Sequence, residues 1–163
     1  MDQKIKVICS NPKGLPQRST SGAGAVDLHA KLGEGVIIYR VVMGVSRPTQ
    51  TDCITLLPGE RALIPSGLRI QLPKGYKLRL SPRSGLALKY GITLVNSPSL
   101  IDEDYTGDIG IILMNSGFDS VLISNGDRIA QAYLEKDIPF EWEEVDTLDT
   151  TDRGDGGFGS TGA

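Results

Sequence analysis

The sequence predicts an all-β domain of the antiparallel sandwich, barrel or jelly-roll kind. Turn signals such as Pro58-Gly59, Pro65-Ser66-Gly67 and Pro73-Lys74-Gly75 recur at intervals of about ten residues. The segments between them are short and rich in β-branched and apolar residues. Twenty glycines and nine prolines in 163 residues favour many turns over long helices.

Taken in order, Lys4–Cys9 alternates charged and apolar residues and reads as a half-buried opening strand. Turn residues follow, and then Ser19–Ala30, where Asp27 sits between Val26 and Leu28 on a short strand. Val36–Val45 is one β-prone run, Ser46–Asp52 a loop or turn, and Cys53–Leu57 a further strand. Strands are expected at Ala62–Ile64, Leu68–Leu72 and Tyr76–Leu80. Gly85–Lys89 is the one modest helix candidate, with Ser84 placed to cap it. Ile92–Val95 and Ile109–Met114 read as strands that hold a polar loop rigidly between them. The turn Asn125-Gly126 favours a hairpin leading from Val121–Ser124 into a strand from Arg128 to Leu134. Phe140 and Trp142 are expected to pin the chain's exit against the body or a partner subunit.

The chain reads as one β domain over residues 1–147, followed by a glycine-rich arm over 148–163. Formal charge is −3, so the whole surface carries no nucleic-acid footprint and a polyanion must meet positive charge locally. No apolar run is long enough to span a membrane, and the first ten residues lack a signal-peptide core. These features give a cytoplasmic expectation, the host cytoplasm in the case of a phage-encoded protein. Cys9 and Cys53 fit no metal spacing and read as reduced thiols.

The chemistry gathers in five segments. Gly91–Asn115 carries Asn96, Asp102, Asp104 and Tyr105, a set that can hydrogen-bond a flat polar ring, stack on it and supply a base. Either aspartate could be that base. Arg83, Ser84 and the Gly85 amide form either a surface turn or an anion site. Arg128 and Gln131 are further donors, with an exposed Asp127–Arg128 ion pair as the plainer reading. The tail is a disordered segment on composition alone. It also holds Arg153, Phe158, Ser160 and Thr161 among glycines, the materials of a flap that orders over a phosphorylated ligand. Together these point to a phosphorylated planar ligand and water attack at phosphorus. Mg²⁺ is the cation such a site calls for, bound mostly through ligand phosphates and water, with Asp27 the nearest carboxylate.

The segments AGAVDL, PRSGLA, NSPSLIDEDYTG, GDRIAQ and RGDGGFGSTG, in this order from Ala23 to Gly162, closely resemble the trimeric dUTP pyrophosphatases, the dUTPases. That resemblance implies a jelly-roll, distorted β-barrel fold, a homotrimer with three shared active sites, and Mg²⁺-dependent hydrolysis of dUTP to dUMP and pyrophosphate. It narrows the base to Asp102, orienting water toward the α-phosphorus. Tyr105 resembles the residue that lies under the deoxyribose. Asn96 and the main chain through Leu100 and Ile101 resemble the uracil reader. Arg83, Ser84, Gly85 and Gln131 match phosphate-binding positions, and Asp27 matches an aspartate of the Mg²⁺ environment, in contact through water. Arg153, Phe158, Gly159, Ser160 and Thr161 match the closing flap. No direct nucleic-acid partner is implied, and a regulatory protein partner has no signature here.

Three features depart from the family's pattern. Ser99 stands where many members have glycine, and Asp155 replaces a commoner glutamate. Leu32–Leu57 is longer than the usual passage and reads as a β-hairpin insertion at 32–57. The rival enzyme reading is a dCTP deaminase of the same fold, against which Tyr105 and the full glycine flap argue. The rival of another class is a nucleotide-dependent regulatory binding protein, against which Asp102 argues.

Overall fold

The computed structural model describes residues 3–157, which form twelve β-strands and one short α-helix. Alternation sets the centre. β10 (Asp108–Asn115) alternates half-buried and buried residues along its whole length, with Ile109, Ile111 and Leu113 turned into the core. This is the pattern of a strand with one face on the core, because successive side chains point to opposite sides. β10 pairs antiparallel with β6 (Arg61–Gln71) on one side and β8 (Ile92–Leu94) on the other.

β6 is the hub of its sheet. It also pairs with β1 (Lys6–Cys9) and with β3 (Ile38–Val42), and β3 in turn pairs with β4 (Val45–Thr49). A second sheet runs in the order β2 (Val26–His29), β12 (Arg128–Lys136), β7 (Tyr76–Ser81) and β9 (Ser99–Ile101). A third, two-stranded sheet joins β11 (Val121–Ser124) to β5 (Cys53–Leu56). Every pairing is antiparallel. The result is an all-β, distorted and unclosed jelly-roll barrel with one continuous core that includes Leu28, Leu56, Ile64, Leu80 and Ile129. Fully burying one such side chain is worth about 1.5–3 kcal/mol.

Local readings of turns are corrected in three places. Pro65-Ser66-Gly67 does not divide two strands, because β6 runs through it. Gly67 has φ of +72°, and the register against β10 shifts between Asp108 and Gly110. A bulge thus absorbs the turn signal inside a strand. Tertiary pairing decides this, since the same residues without partners would turn. In the second place, Val36–Val45 is not one run. It breaks at Met43-Gly44, whose positive φ values of 49° and 80° close a two-residue hairpin turn between Val42 and Val45. Residues Ser46–Thr49, expected as loop, are the returning strand β4, an edge strand where Pro48 leaves no ladder donor missing inside the sheet. In the third, Ser84 does not cap the helix. α1 (Ser84–Tyr90) starts at Ser84 itself, with Arg83 at the cap position and no side-chain cap bond.

Phe140 and Trp142 do not pin the exit against the chain's own body. Both are largely exposed and meet each other edge to face, ring centres 5.3 Å apart. Cys9 is half-buried and Cys53 exposed, and neither forms a disulfide. No helix among the described residues is long and apolar enough to cross a membrane.

Asn115 closes β10 with a fully buried side chain. Its amide donates to the carbonyls of Leu56 and Asp119 at 2.8 and 2.7 Å, and its Oδ1 accepts from the Gly117 amide at 2.9 Å. Three backbone groups therefore depend on one side chain. Asn115→Ala should cost about 1–3 kcal/mol, chiefly because the buried Leu56 carbonyl would be left unpaired. Urea unfolding at fixed protein concentration measures this, and a loss under about 1 kcal/mol would show that water replaces the amide.

Candidate active site

The loop between β8 and β10 folds back on itself and builds a pocket. β9 leaves the polar stretch to pair with β7, setting Leu100 opposite Arg79 and Ser99 opposite Leu80. The Ser97–Pro98 peptide before it is cis. After β9, the Tyr105 amide donates to the Asp102 carbonyl at 3.2 Å, closing a turn that presents the Asp102 side chain to solvent. Asn96, Ser99, Leu100, Ile101, Asp102 and Tyr105 then line one concavity of about 290 Å³. Leu63 of β6 and Asp108, Gly110 and Ile112 of β10 form the rest of its wall.

Two residues that the sequence reading did not single out hold Tyr105. Its hydroxyl donates to the Asp108 carbonyl at 2.9 Å. The ring lies so close to Gly107 that a Cβ there would stand 2.5 Å from the tyrosine oxygen. Only glycine permits this approach. The signal was the Tyr-Thr-Gly-Asp run itself, but nothing in a sequence says which neighbour a ring will lie on. Asp108 is the second. Its side chain accepts from the Gly67 amide at 3.2 Å, tying the bulge of β6 to the start of β10. Burial raises its carboxyl above the ordinary range, against the opposing pull of the Gly67 amide and Lys31.

The cationic residues meet elsewhere. Asp27 on β2 lies opposite Gln131 on β12, and Gln131 opposite Ser81 on β7. Arg83 Nε donates to one oxygen of Asp27 at 3.0 Å, and Arg128 Nη1 to the other at 3.2 Å. Arg83 Nη1 also donates to the Arg128 carbonyl at 3.1 Å. Arg128 thus pairs with Asp27, not with its neighbour Asp127, which caps the Ser124 amide at 2.8 Å. One carboxylate between two guanidiniums offsets their mutual repulsion, and Asp127 places a second carboxylate on the wall of the same concavity. Arg83 and Arg128 line a second concavity of about 440 Å³ with Leu86 and Tyr90 of α1. Ser84 and Gly85 are exposed on the first turn of α1.

Within one chain, then, the Asp102 pocket and the arginine concavity have separate linings. Arg153 lies in the exposed arm, where its Nε donates to the Gly156 carbonyl at 2.7 Å. Phe158, Gly159, Ser160 and Thr161 lie outside the described residues. No cluster of three or more His, Cys, Asp or Glu side chains able to hold a metal occurs among the described residues.

The family model dUTPase matches residues 49–162. The deoxyuridine 5′-triphosphate nucleotidohydrolase of Roseobacter denitrificans is 45% identical over 148 residues, covering 91% of this chain and 86% of that protein. The protein of the same description from Finegoldia magna is 44% identical over 159 residues, covering 98% and 99%. The fold is similar to that of the Staphylococcus bacteriophage 80alpha dUTPase with dUpNHpp, at a TM-score of 0.76 and 21% identity, covering 98% of this chain and 99% of that one. A mutant dUTPase from phage phi11 of S. aureus, described for coordination of a structural Mg(II) ion, matches at a TM-score of 0.70 and 18% identity over 90% of this chain and 99% of that one.

Asp108 gives the site a pH signature. A carboxyl whose folded pKa lies above its unfolded value favours the folded state while protonated, and that contribution is lost as pH rises through the folded pKa. Asp108→Asn keeps an acceptor for Gly67 and removes the charge. The variant's stability relative to the parent should therefore increase from about pH 4 to about pH 7, as followed by thermal unfolding. A flat difference across that window would show that Asp108 ionises without penalty.

Proposed function

This chain belongs to the dUTPase family and is a dUTP diphosphatase, and we propose that Asp102 is the base that orients water for attack on the α-phosphorus. The observation that carries this reading is the single pocket lined by Asn96, Leu100, Ile101, Asp102 and Tyr105. A pyrimidine seated there meets the Asn96 carboxamide and the main chain of β9, a narrow polar edge complementary to uracil. The Tyr105 ring, fixed at both its hydroxyl and its face, lies beneath the deoxyribose and leaves no space for a 2′-hydroxyl. Asp102 stands at the solvent end, where a carboxylate can accept a proton from the attacking water as the bond to phosphorus forms and pyrophosphate departs.

The phosphates require a cation and hydrogen-bond donors that this pocket does not contain. In our reading a neighbouring copy in a homotrimer supplies them, the charge from Arg83 and neutral donors from Ser84, Gly85 and Gln131. Separate concavities within one chain support this division. So does α1, which has no buried residue and leaves Leu88 88% exposed. The arm, with Arg153, Phe158, Gly159, Ser160 and Thr161, closes the site over base and phosphates. Residues 148–163 act as that arm and 1–147 as the domain, with the hairpin of β3 and β4 as the insertion within 32–57.

Magnesium fits this chain as an ion carried by the triphosphate. Both Asp27 oxygens are engaged by arginines, so Asp27 suits contact through water and no direct ligation. Bound through phosphate oxygens, the ion would offset the negative charge of the triphosphate.

Asp102→Asn should keep dUTP binding and lower kcat by about 10²–10⁴-fold, the usual worth of a general base. Near-normal turnover would remove Asp102 from that role. Sharing between subunits has its own test. Chains with Asp102→Asn and chains cut before Arg153, each inactive alone, should regain activity when co-refolded, because some sites then combine an intact Asp102 with an intact arm. Absence of any recovery in mixed oligomers would mean that each site is built within one chain.

A further inference from the structure

Ser99 occupies a place in the pocket that the reaction described above does not use. Its side chain is 5% exposed, and its hydroxyl accepts a hydrogen bond from Asn96 Nδ2 at 3.1 Å. Both residues line the concavity that holds Asp102 and Tyr105. The position of Ser99 is itself set by strand pairing, opposite Leu80 on β7, whose side chain is fully buried. A hydroxyl on a fixed backbone is therefore bonded to a carboxamide on the loop before it.

We propose that Ser99 is a positioning residue, whose hydroxyl holds the Asn96 carboxamide in the orientation from which it meets the pyrimidine edge. The proposal rests on the reading that Asn96 reads the base. A carboxamide without this tether has freedom about two side-chain torsions and must be ordered again each time a nucleotide binds. With one N–H given to Ser99, the remaining N–H and Oδ1 keep set directions, and a ring bearing a carbonyl meets them differently from one bearing an amine.

Steady-state kinetics on Ser99→Ala, Asn96→Ala and the double variant test this, with dUTP and dCTP as substrates and thermal unfolding as the check on folding. Ser99→Gly removes the same hydroxyl and serves as the second variant should the alanine chain not fold. Loss of the hydroxyl should raise KM for dUTP by about 5- to 10-fold, the scale of one neutral hydrogen bond, with kcat within about twofold. The kcat/KM preference for dUTP over dCTP should fall by a similar factor, because dCTP never made the ordered contact. In the double variant the loss should be no greater than in Asn96→Ala alone. An unchanged preference in Ser99→Ala and Ser99→Gly, beside a reduced one in Asn96→Ala, would overturn the role of Ser99 and leave Asn96 as reader. An unchanged preference in Asn96→Ala would overturn both.

Discussion

The register of β10 against β6 ties the core of this protein to its active site. Along β10, Ile109, Ile111 and Leu113 face inward, while Gly110 and Ile112 on the other face line the pocket beside Asp102. A pleated strand offers no intermediate setting, and a slip of one residue would exchange the two faces. Core packing thus selects the pocket lining. The bulge at Gly67 and the Asp108 carboxylate bonded to its amide hold that register where the strand enters the site. The same tie accounts for a partly buried carboxylate in the pocket wall, where Asp108 fastens the two strands.

The arginine side of the site obeys a different constraint. Two guanidiniums near one another repel, and Asp27 between them makes their closeness affordable. Its own position follows from pairing with β12, which sets it opposite Gln131. The carboxylate that the sequence marks as a metal neighbour is, in the folded chain, the partner of two arginines. Arg83 commits Nε to this pairing and an Nη1 donor to a carbonyl, which fixes the plane of its guanidinium.

The hairpin of β3 and β4 is attached at one sheet edge, away from both regions. β3 adds to the free edge of β6, and Arg40 reaches back to the buried Glu60, which also accepts from the Leu57 amide at 2.9 Å. Burial alone would push the Glu60 carboxyl upward, but the Leu57 amide and the Arg40 guanidinium outweigh it and hold the group below its ordinary range. The hairpin is therefore anchored by a charge pair at the turn that leads into β6, while its tip, with Met43 fully exposed, stands clear.

The sequence by itself determined the all-β class, the family, and the pocket-forming loop with Asn96, Asp102 and Tyr105, because alternation, turn residues and motif order are local properties of the chain. It could not tell a bulge from a turn at Pro65-Ser66-Gly67 or which residue would pair with Arg128, and although it expected a hairpin within 32–57 it did not locate that hairpin's turn at Met43-Gly44. The bulge and the Arg128 pairing depend on partners distant in the chain, β10 and Asp27, and a local pattern carries no information about them. Gly107 under Tyr105, Ser99 against Asn96 and the separation of the base pocket from the arginine concavity were likewise decided only by tertiary structure. Each is a matter of which surfaces meet in space, and that is settled when the sheets pack.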